Sequence, residues 1–590
     1  SSHFGSIHFG SRRSGSRHRR QFGGGVSPDV GRMRSVDGAA QLVRRHLGGG
    51  VLRGYASSSR LAAVPHSASS CPAHLGEQRA PHVAVIGAGL VGLTSAQSLV
   101  SRGFRVTVVD RQPHVANECS FANAALLMRS YSRPKTATVL QLLRWAVRRD
   151  EPVAVTLRAM TDPSMVSFGL RFLLSGPQTE RRIFETTQSA DALTEASIEH
   201  LDFLRAELGL QTPSLDGGVL MFFTDAVKLR ALINEAEASF KPEDRASRYR
   251  VLNAAECIAL EPSIRHREAE LAGGVIWPHD KTICPLSFSQ ELAAWLEGSA
   301  VQLALGDEAV ALRAGGESGG SLLELASGSS LPVDAVVVAA GVGSGRVLRA
   351  LGGDAMPPVP LYGMRGHSLT LDVSHLPGSG EHGHLLQRSI CDGDTMSFFS
   401  PLLPAPGSDR KLLRLAAFGD FDGWDYGPAA VRPWRKQQLL NAARATFDPG
   451  LGLDGGHATA PPLGASALGP RLCPDDDPAT QWCGLRPMSP DGLPIVGYAG
   501  SAASGCRVFI NAGHGALGWT MSGGCAELLA EAVQAELPSG APSARPAPAA
   551  LRRLAPELNP ARFRWAEVLS RAGRMRLGRS LAQADAALVS

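Results

Sequence analysis

The chain alternates between short, wholly apolar runs and longer stretches in which apolar residues recur every three or four positions. Val83–Ile86 is one such run, followed by a glycine turn over Gly87–Gly92 and a helical pattern over Leu93–Val100. Arg105–Asp110 is β-branched and apolar until its acid. Strand, turn, helix and strand in that order predict a compact nucleotide-type unit. Residues 137–211 read as mostly helical, with arginine and glutamate on the polar faces. Gly217–Phe223, Gly273–Trp277, Leu361–Asp372 and Lys411–Phe418 predict strands, and Lys228–Phe240, Pro285–Glu297 and Arg435–Phe447 predict helices. Val333–Ala339 is nearly all apolar, as a strand covered on both faces of a parallel sheet is. A strand over Cys506–Ala512 and a helix over Thr520–Gln534 close the patterned region. Residues 456–481 are rich in Ala, Pro, Gly and Asp and predict a long loop, and residues 537–550 read as a Pro/Ala/Ser linker.

Composition changes this picture mainly at the N-terminus. Of 590 residues, 44% are hydrophobic and 19% charged, ordinary for a globular protein with a sizeable core. The formal charge of +5 is uneven: residues 1–80 hold twelve arginines against Asp29, Asp37 and Glu77, a local +9 that leaves −4 for the rest. An arginine-, serine- and glycine-rich leader poor in acids has the composition of an organellar transit peptide, mitochondrion before plastid, with a cytoplasmic location if it is only a basic tail. The mildly acidic body carries no nucleic-acid footprint. No apolar run reaches ~18 residues, so no transmembrane span is expected, which leaves room for peripheral membrane contact. Nine cysteines without CxxC spacing argue against a disulfide framework or a zinc site. Cys525, inside the last predicted helix, reads as core.

The chemistry begins at Gly87-Ala88-Gly89-Leu90-Val91-Gly92, a GxGxxG turn between a strand and a helix. Gly87 permits the tight bend, Gly89 lets a pyrophosphate approach the main chain, and Gly92 lets helix and strand pack closely. The helix N-terminus offers free N–H groups to the phosphates. Asp110 ends the next strand at the distance from Gly87 where an acid accepts from ribose hydroxyls, with Arg111 beside it. An acid there argues against a 2′-phosphate and so against NADP. Ser120 and Asn123 are placed to contact the cofactor, or simply to cap a turn. The alternative for the whole motif is a glycine turn in an unrelated unit.

Later segments resemble a known family. Residues 333–341 (VDAVVVAAG) resemble the late strand signature of two-dinucleotide-fold flavoproteins, with Gly341 at its close-approach end. Residues 483–497 (CGLRPMSPDGLPIVG) and 509–521 (FINAGHGALGWTM) resemble the C-terminal signatures of the FAD-dependent D-amino acid dehydrogenase small subunit, within the D-amino acid oxidase/glycine oxidase superfamily. Residues 118–124 (ECSFANA), 360–371 (PLYGMRGHSLTL) and 558–563 (LNPARF), and Gly273-Gly274 with Pro278-His279-Asp280, agree with it. The likeness spans about 82–536 plus the short tail. It departs at the leader, the 456–481 insertion, the linker, and Ala125-Leu126-Leu127, where the family usually has a glycine and polar residues.

The resemblance implies an α/β fold: a discontinuous Rossmann-like FAD-binding domain with a second α+β substrate domain built on a mixed sheet. Residues 82–138, 284–345 and 480–536 are expected in the first, 139–283 and 346–479 in the second, and 537–590 in a linker and tail. It implies FAD as cofactor and oxidative deamination of a small D-amino acid such as D-alanine, with a quinone, an electron-transfer protein or O2 as electron acceptor. A glycine, sarcosine or proline-derivative oxidase, or a non-catalytic flavin-binding assembly factor, are the competing readings. Arg486 can hold the substrate carboxylate through two parallel N–H···O bonds, or else bridge loops structurally. His514 could face the substrate or only orient its loop. Gly513, Gly515, Leu517 and Gly518 bring backbone N–H groups and a helix N-terminus toward the flavin. Arg365 and His367 could line the substrate face. His279 and Asp280 read as a turn.

Overall fold

The computed structural model describes residues 80–134, 144, 151–175, 179–315, 320–374, 376, 378, 380, 383–404, 409–423, 431–448, 479–537 and 547–570, all within one compact unit. Residues 1–79 of the leader, residues 456–478 of the expected loop and residues 538–546 of the expected linker lie outside these.

A six-stranded sheet runs in the order Gln302–Leu305, Arg105–Asp110, His82–Ile86, Ala335–Val338, Arg507–Ala512 and Ile495–Ser501. All but the last pair are parallel. Its central strands are apolar on both faces because both are covered. Val83, Val85, Val106, Val108, Ala335 and Val337 join one core with the helices Leu90–Val100, Pro285–Gly298 and Gly518–Glu536. Ala84, Ile86, Val109, Val336, Val338 and Ile510 join another beneath a three-stranded antiparallel sheet, through Leu323 and Leu325. Each fully buried Val or Ile contributes ~1.5–3 kcal/mol, which fixes these strands in the interior. His82–Ile86 and Ala335–Val338 are neighbours in the sheet but far apart in sequence, so a crevice opens at their C-terminal ends.

The second large sheet has nine strands. Its main path runs through Ala479–Met488, Tyr362–Asp372, Leu412–Phe421, Ser397–Leu402, Ser389–Asp392, Val219–Phe223, Gly273–Trp277 and Arg250–Leu252. Most pairs are antiparallel. Ser389–Asp392 pairs parallel with Val219–Phe223, and Val153–Val155 parallel with Leu412–Phe421, so the sheet is mixed as expected. Helix Pro433–Thr446 covers one face through Leu439 and Ala443 against Leu369, Leu413 and Leu415.

Two boundary expectations need correction. Residues 480–488, assigned to the FAD domain, pair along their whole length with Tyr362–Asp372 in the second sheet. The strand already starts at Ala479, inside the segment expected as loop. The helix Glu180–Glu207, assigned to the substrate domain, buries Leu193 and Leu201 in the core of the first sheet. It can do so because Gly523 and Gly524 present no side chains: a Cβ on Gly523 would lie 3.0 Å from the Ser197 carbonyl oxygen. The Gly524 amide donates to Ser197 Oγ at 3.0 Å. Within 137–211, read as mostly helical, the strand Val153–Val155 interrupts the helices.

Candidate active site

The glycine turn is built as its spacing predicts. Gly87 has φ +118°, and its amide donates to the Val109 carbonyl at 2.8 Å. A Cβ on Gly87 would lie 2.4 Å from the Ala339 oxygen, and one on Gly92 would lie 1.8 Å from the Gly87 oxygen. Gly92 therefore serves packing and does not line the cavity. A Cβ on Gly89 would meet only Ser120 Oγ, at 3.5 Å, so this position opens onto the crevice. The helix begins at Leu90, earlier than expected, and Gly89 gives its N-terminus no side-chain cap. Instead Ser120 Oγ accepts from the Leu90 amide at 3.1 Å.

Asp110 is fixed by its own backbone surroundings. One carboxylate oxygen accepts from the Ala88 amide at 2.6 Å and the other from the Gln112 amide at 2.7 Å. Burial raises its pKa, while those amides pull it down. Arg111 is braced by Glu118 at 2.7 Å, and Gln112 donates to the same oxygen at 2.8 Å. Asn123 lines the cavity and also caps its own turn, its Oδ1 accepting from the Ala125 amide at 2.9 Å. That cap explains how Ala125 stands where the family usually has a glycine: it holds φ +58°.

On the other side of the crevice, Ala339, Ala340, Gly341 and Gly343 line the wall. Cβ atoms added at Gly341 or Gly343 would meet nothing within 4 Å. Gly515, Ala516, Gly518 and Trp519 complete the same cavity, where the helix Gly518–Glu536 starts without a side-chain cap. Gly513 and Leu517 do not line it. Gly513 packs against Leu361 and Ile495, and Leu517 joins a cluster with Ala124, Tyr131 and Phe398.

Arg486 and His514 both line this cavity. Arg486 is half-buried and donates through NH1 to the Phe418 carbonyl at 2.7 Å. Among the described residues no carboxylate lies within ion-pair distance of it. His514 is buried, and burial alone pushes its pKa down to about 4. Its Nε2 has no hydrogen-bond partner among the described residues. Arg365 and His367, candidates for the substrate face, are buried and engaged elsewhere. Arg365 is ion-paired to Asp422 at 2.9 Å, and His367 contacts Asp420 at 2.9 Å. The turn reading of His279 and Asp280 fits what is seen: His279 is exposed, and Asp280 is buried and accepts from the Ser130 amide at 3.1 Å.

Sequence reasoning missed several cavity residues. Asn511 lies inside a quoted motif, yet nothing in its identity marked it. Its Nδ2 donates to Ser95 Oγ at 3.0 Å while its buried Oδ1 is unpartnered among the described residues. Asp307 and Glu308 reach the cavity from a loop, and Arg346 from the helix Ser344–Gly352, none of them in a motif.

The residues present fit FAD. The open glycines leave room for a pyrophosphate, Asp110 is held at the expected end, and buried polar atoms of His514 and Asn511 lack partners among the described residues. Among the described residues no group of histidine, cysteine and acidic side chains could hold a metal, and no helix is long and apolar enough to cross a membrane.

Comparison with known proteins agrees. A family profile described as FAD dependent oxidoreductase matches residues 82–532. The D-amino acid dehydrogenase of Dechloromonas aromatica (strain RCB) is 31% identical over 463 residues, 77% of this chain and 97% of that protein. The one from Paramagnetospirillum magneticum is 31% identical over 464 residues, covering 78% and 96%. Among solved structures, glycine oxidase from Geobacillus kaustophilus superposes with a TM-score of 0.50 at 19% identity, covering 77% of this chain and 95% of that one. L-proline dehydrogenase from P. horikoshii gives 0.51 at 13% identity, covering 82% and 98%. The expectation of organellar targeting is overturned, because the similar D-amino acid dehydrogenases come from bacteria, which have no such organelle. The chain belongs to the DAO family of FAD-dependent oxidoreductases, and its cofactor is FAD.

Proposed function

We propose that the chain oxidises a small D-amino acid, with D-alanine as the representative substrate, to the 2-oxo acid and ammonia. The observation that carries this reading is Arg486: a half-buried guanidinium, with no carboxylate partner among the described residues, facing the cofactor cavity. Names of the bacterial relatives agree with it. When bound, FAD supplies the two-electron acceptor for the hydride that leaves Cα.

The protein's part is positional. Arg486 keeps donors beyond the one given to Phe418, enough to grip both oxygens of a carboxylate. Holding one end of the substrate fixes where Cα–H points, and such alignment can account for ~7–11 kcal/mol of a barrier. His514, with a pKa of about 4, stays neutral at physiological pH. It therefore acts through hydrogen bonding at Nε2 and places no second positive charge beside the substrate amine. The imino acid then hydrolyses in water. The electron acceptor is a quinone, an electron-transfer protein or O2.

We further propose a discontinuous cofactor domain drawn from 82–138, 284–345 and about 489–536, with the helix Glu180–Glu207 packed on it. Gly87, Gly89, Asp110, Arg111, Ser120, Asn123, Gly341, Gly515 and Gly518 would contact FAD.

Mixing the FAD-loaded protein anaerobically with D-alanine should bleach the flavin band, while L-alanine, glycine and sarcosine should act far more slowly. Bleaching by glycine or sarcosine alone would replace this substrate class with the oxidase reading. Arg486→Ala should raise KM for D-alanine by roughly 30- to 5,000-fold, the cost of ~2–5 kcal/mol for an unmatched charge pair in a desolvated site. Arg486→Lys keeps the charge without the fork and should recover only part. Unchanged kcat/KM in Arg486→Ala would place the carboxylate elsewhere.

A further inference from the structure

The strand Leu412–Phe421 is interrupted where it passes Arg486. Its pairing with Tyr362–Asp372 shifts between Arg365, opposite Asp420, and His367, opposite Ala417, so Phe418 and Gly419 stand against Gly366 alone. Phe418 in this bulge has φ +66°. A bulky residue in left-handed backbone is an outlier that persists only when its surroundings hold it there, and such outliers gather at functional sites.

Three contacts show what holds it and what it holds. The Phe418 carbonyl accepts from Arg486 NH1 at 2.7 Å. The Phe418 ring lies under the Arg435 guanidinium, 4.3 Å from its centroid, and Arg435 is itself buried and tied to Asp420. Across the bulge, a Cβ on Gly366 would lie 2.6 Å from Arg486 NH2 and 2.7 Å from Cζ, so the guanidinium fills the place a side chain would take. Gly419 is also kept bare, since a Cβ there would lie 2.7 Å from Met364 Sδ. Arg365, the other arginine expected at the substrate face, is held by Asp422.

We propose that Phe418 is a positioning residue for Arg486: its left-handed backbone turns a carbonyl onto the guanidinium, and its ring, clasped by Arg435, keeps that backbone in place. The proposal rests on the reading of Arg486 as the carboxylate clamp. One N–H is spent on the Phe418 carbonyl, and the flat packing over Gly366 sets the plane of the remaining donors. Neither Phe418 nor Gly366 lines the cavity, so each acts on substrate only through Arg486.

The test measures binding apart from turnover. The probe is 2-aminoisobutyrate, which has the carboxylate and amine of alanine but no Cα hydrogen, so it can bind without being oxidised. Its Kd is read from the perturbation of the flavin absorbance in the FAD-loaded protein, and KM and kcat for D-alanine are measured alongside. Phe418→Ala loses the ring and disfavours positive φ, and should weaken binding about tenfold, as loss of a hydrogen bond to a charged group does. Phe418→Gly loses the ring but tolerates positive φ, and should stay within about threefold of wild type. A merely structural role would lower thermal stability and leave the Kd for 2-aminoisobutyrate unchanged in both variants. Gly366→Ala, which displaces the guanidinium from the other side, should also weaken binding about tenfold, and it decides the matter if Phe418→Ala does not accumulate. In an Arg486→Ala background, Phe418→Ala should change Kd no further.

Phe418→Gly binding as weakly as Phe418→Ala, an unchanged Kd in Phe418→Ala, or Gly366→Ala binding normally overturns the proposal while Arg486→Ala still binds poorly. If Arg486→Ala itself binds normally, the clamp reading has failed, and that result is separate from the other two.

Discussion

Arg486 and His514 illustrate how burial decides the chemistry of a side chain. Both line the cofactor cavity, but the arginine is half-exposed, whereas the histidine is enclosed and made neutral. Enclosure has a consequence for stability. The folded-state pKa of His514, about 4, lies below the unfolded value near 6.5, so the unfolded chain binds this proton more readily. The contribution of neutral His514 is complete above pH ~6.5 and is lost as pH falls toward 4. In urea unfolding series at several pH values, the stability of the wild type relative to His514→Gln should therefore fall by ~3 kcal/mol between pH 7 and pH 4. A difference that stays constant over that interval would mean His514 is not held neutral by its burial. Arg486 was legible from its motif because a guanidinium in a glycine- and proline-flanked segment is an unusual choice. Phe418 was not legible, because nothing in a phenylalanine's identity reveals a positive φ.

At the scale of elements, the glycine turn was readable because each glycine answers a separate geometric demand. Gly92 has no room for a Cβ, whereas Gly89 has room but faces the crevice. The two positions should therefore fail differently. Gly89→Val should fold but purify with little FAD, since its added methyls point where the pyrophosphate would lie. Gly92→Ala forces the helix away from the Gly87 carbonyl and should lower the melting temperature even of the flavin-free protein. Flavin absorbance and thermal melts of both variants, with and without added FAD, separate the two effects. Full flavin content in Gly89→Val would refute the assignment of this turn. The helix Glu180–Glu207 shows where element-scale reading runs out. Its amphipathic pattern announced a helix but not which of two cores it would join, and that choice depends on Gly523 and Gly524 more than three hundred residues later. Strand Ala479–Met488 was misassigned for a related reason: it bears a cavity residue, Arg486, yet it pairs along its length with Tyr362–Asp372 in the other sheet.

Across the whole molecule, the last described segment is tied to the motif that carries Arg486. Arg562 is buried and grips both oxygens of Asp491, at 2.8 and 3.0 Å, while donating to the Leu493 and Leu558 carbonyls. Phe563 is fully buried beside the strand Ile495–Ser501, in the core with Ile495 and Ile510. The tail thus closes over the strand that follows the Arg486 segment, although the sequence showed only a short family likeness there. Removing one partner of a buried pair leaves the other charge uncompensated, which typically costs ~3–5 kcal/mol, whereas replacing both with apolar groups can be nearly neutral. Arg562→Met should therefore lower unfolding stability by ~3–5 kcal/mol, and Asp491→Leu by a similar amount. The double variant should regain much of that loss, the non-additivity expected of groups in direct contact. Because Asp491 lies in the same motif as Arg486, the single variants should also raise KM for D-alanine more than they lower kcat. Equilibrium unfolding and steady-state kinetics on the three proteins test both parts. If the double variant is as unstable as the sum of the singles, Arg562 and Asp491 do not act as a pair, and the tail must be held mainly by Phe563.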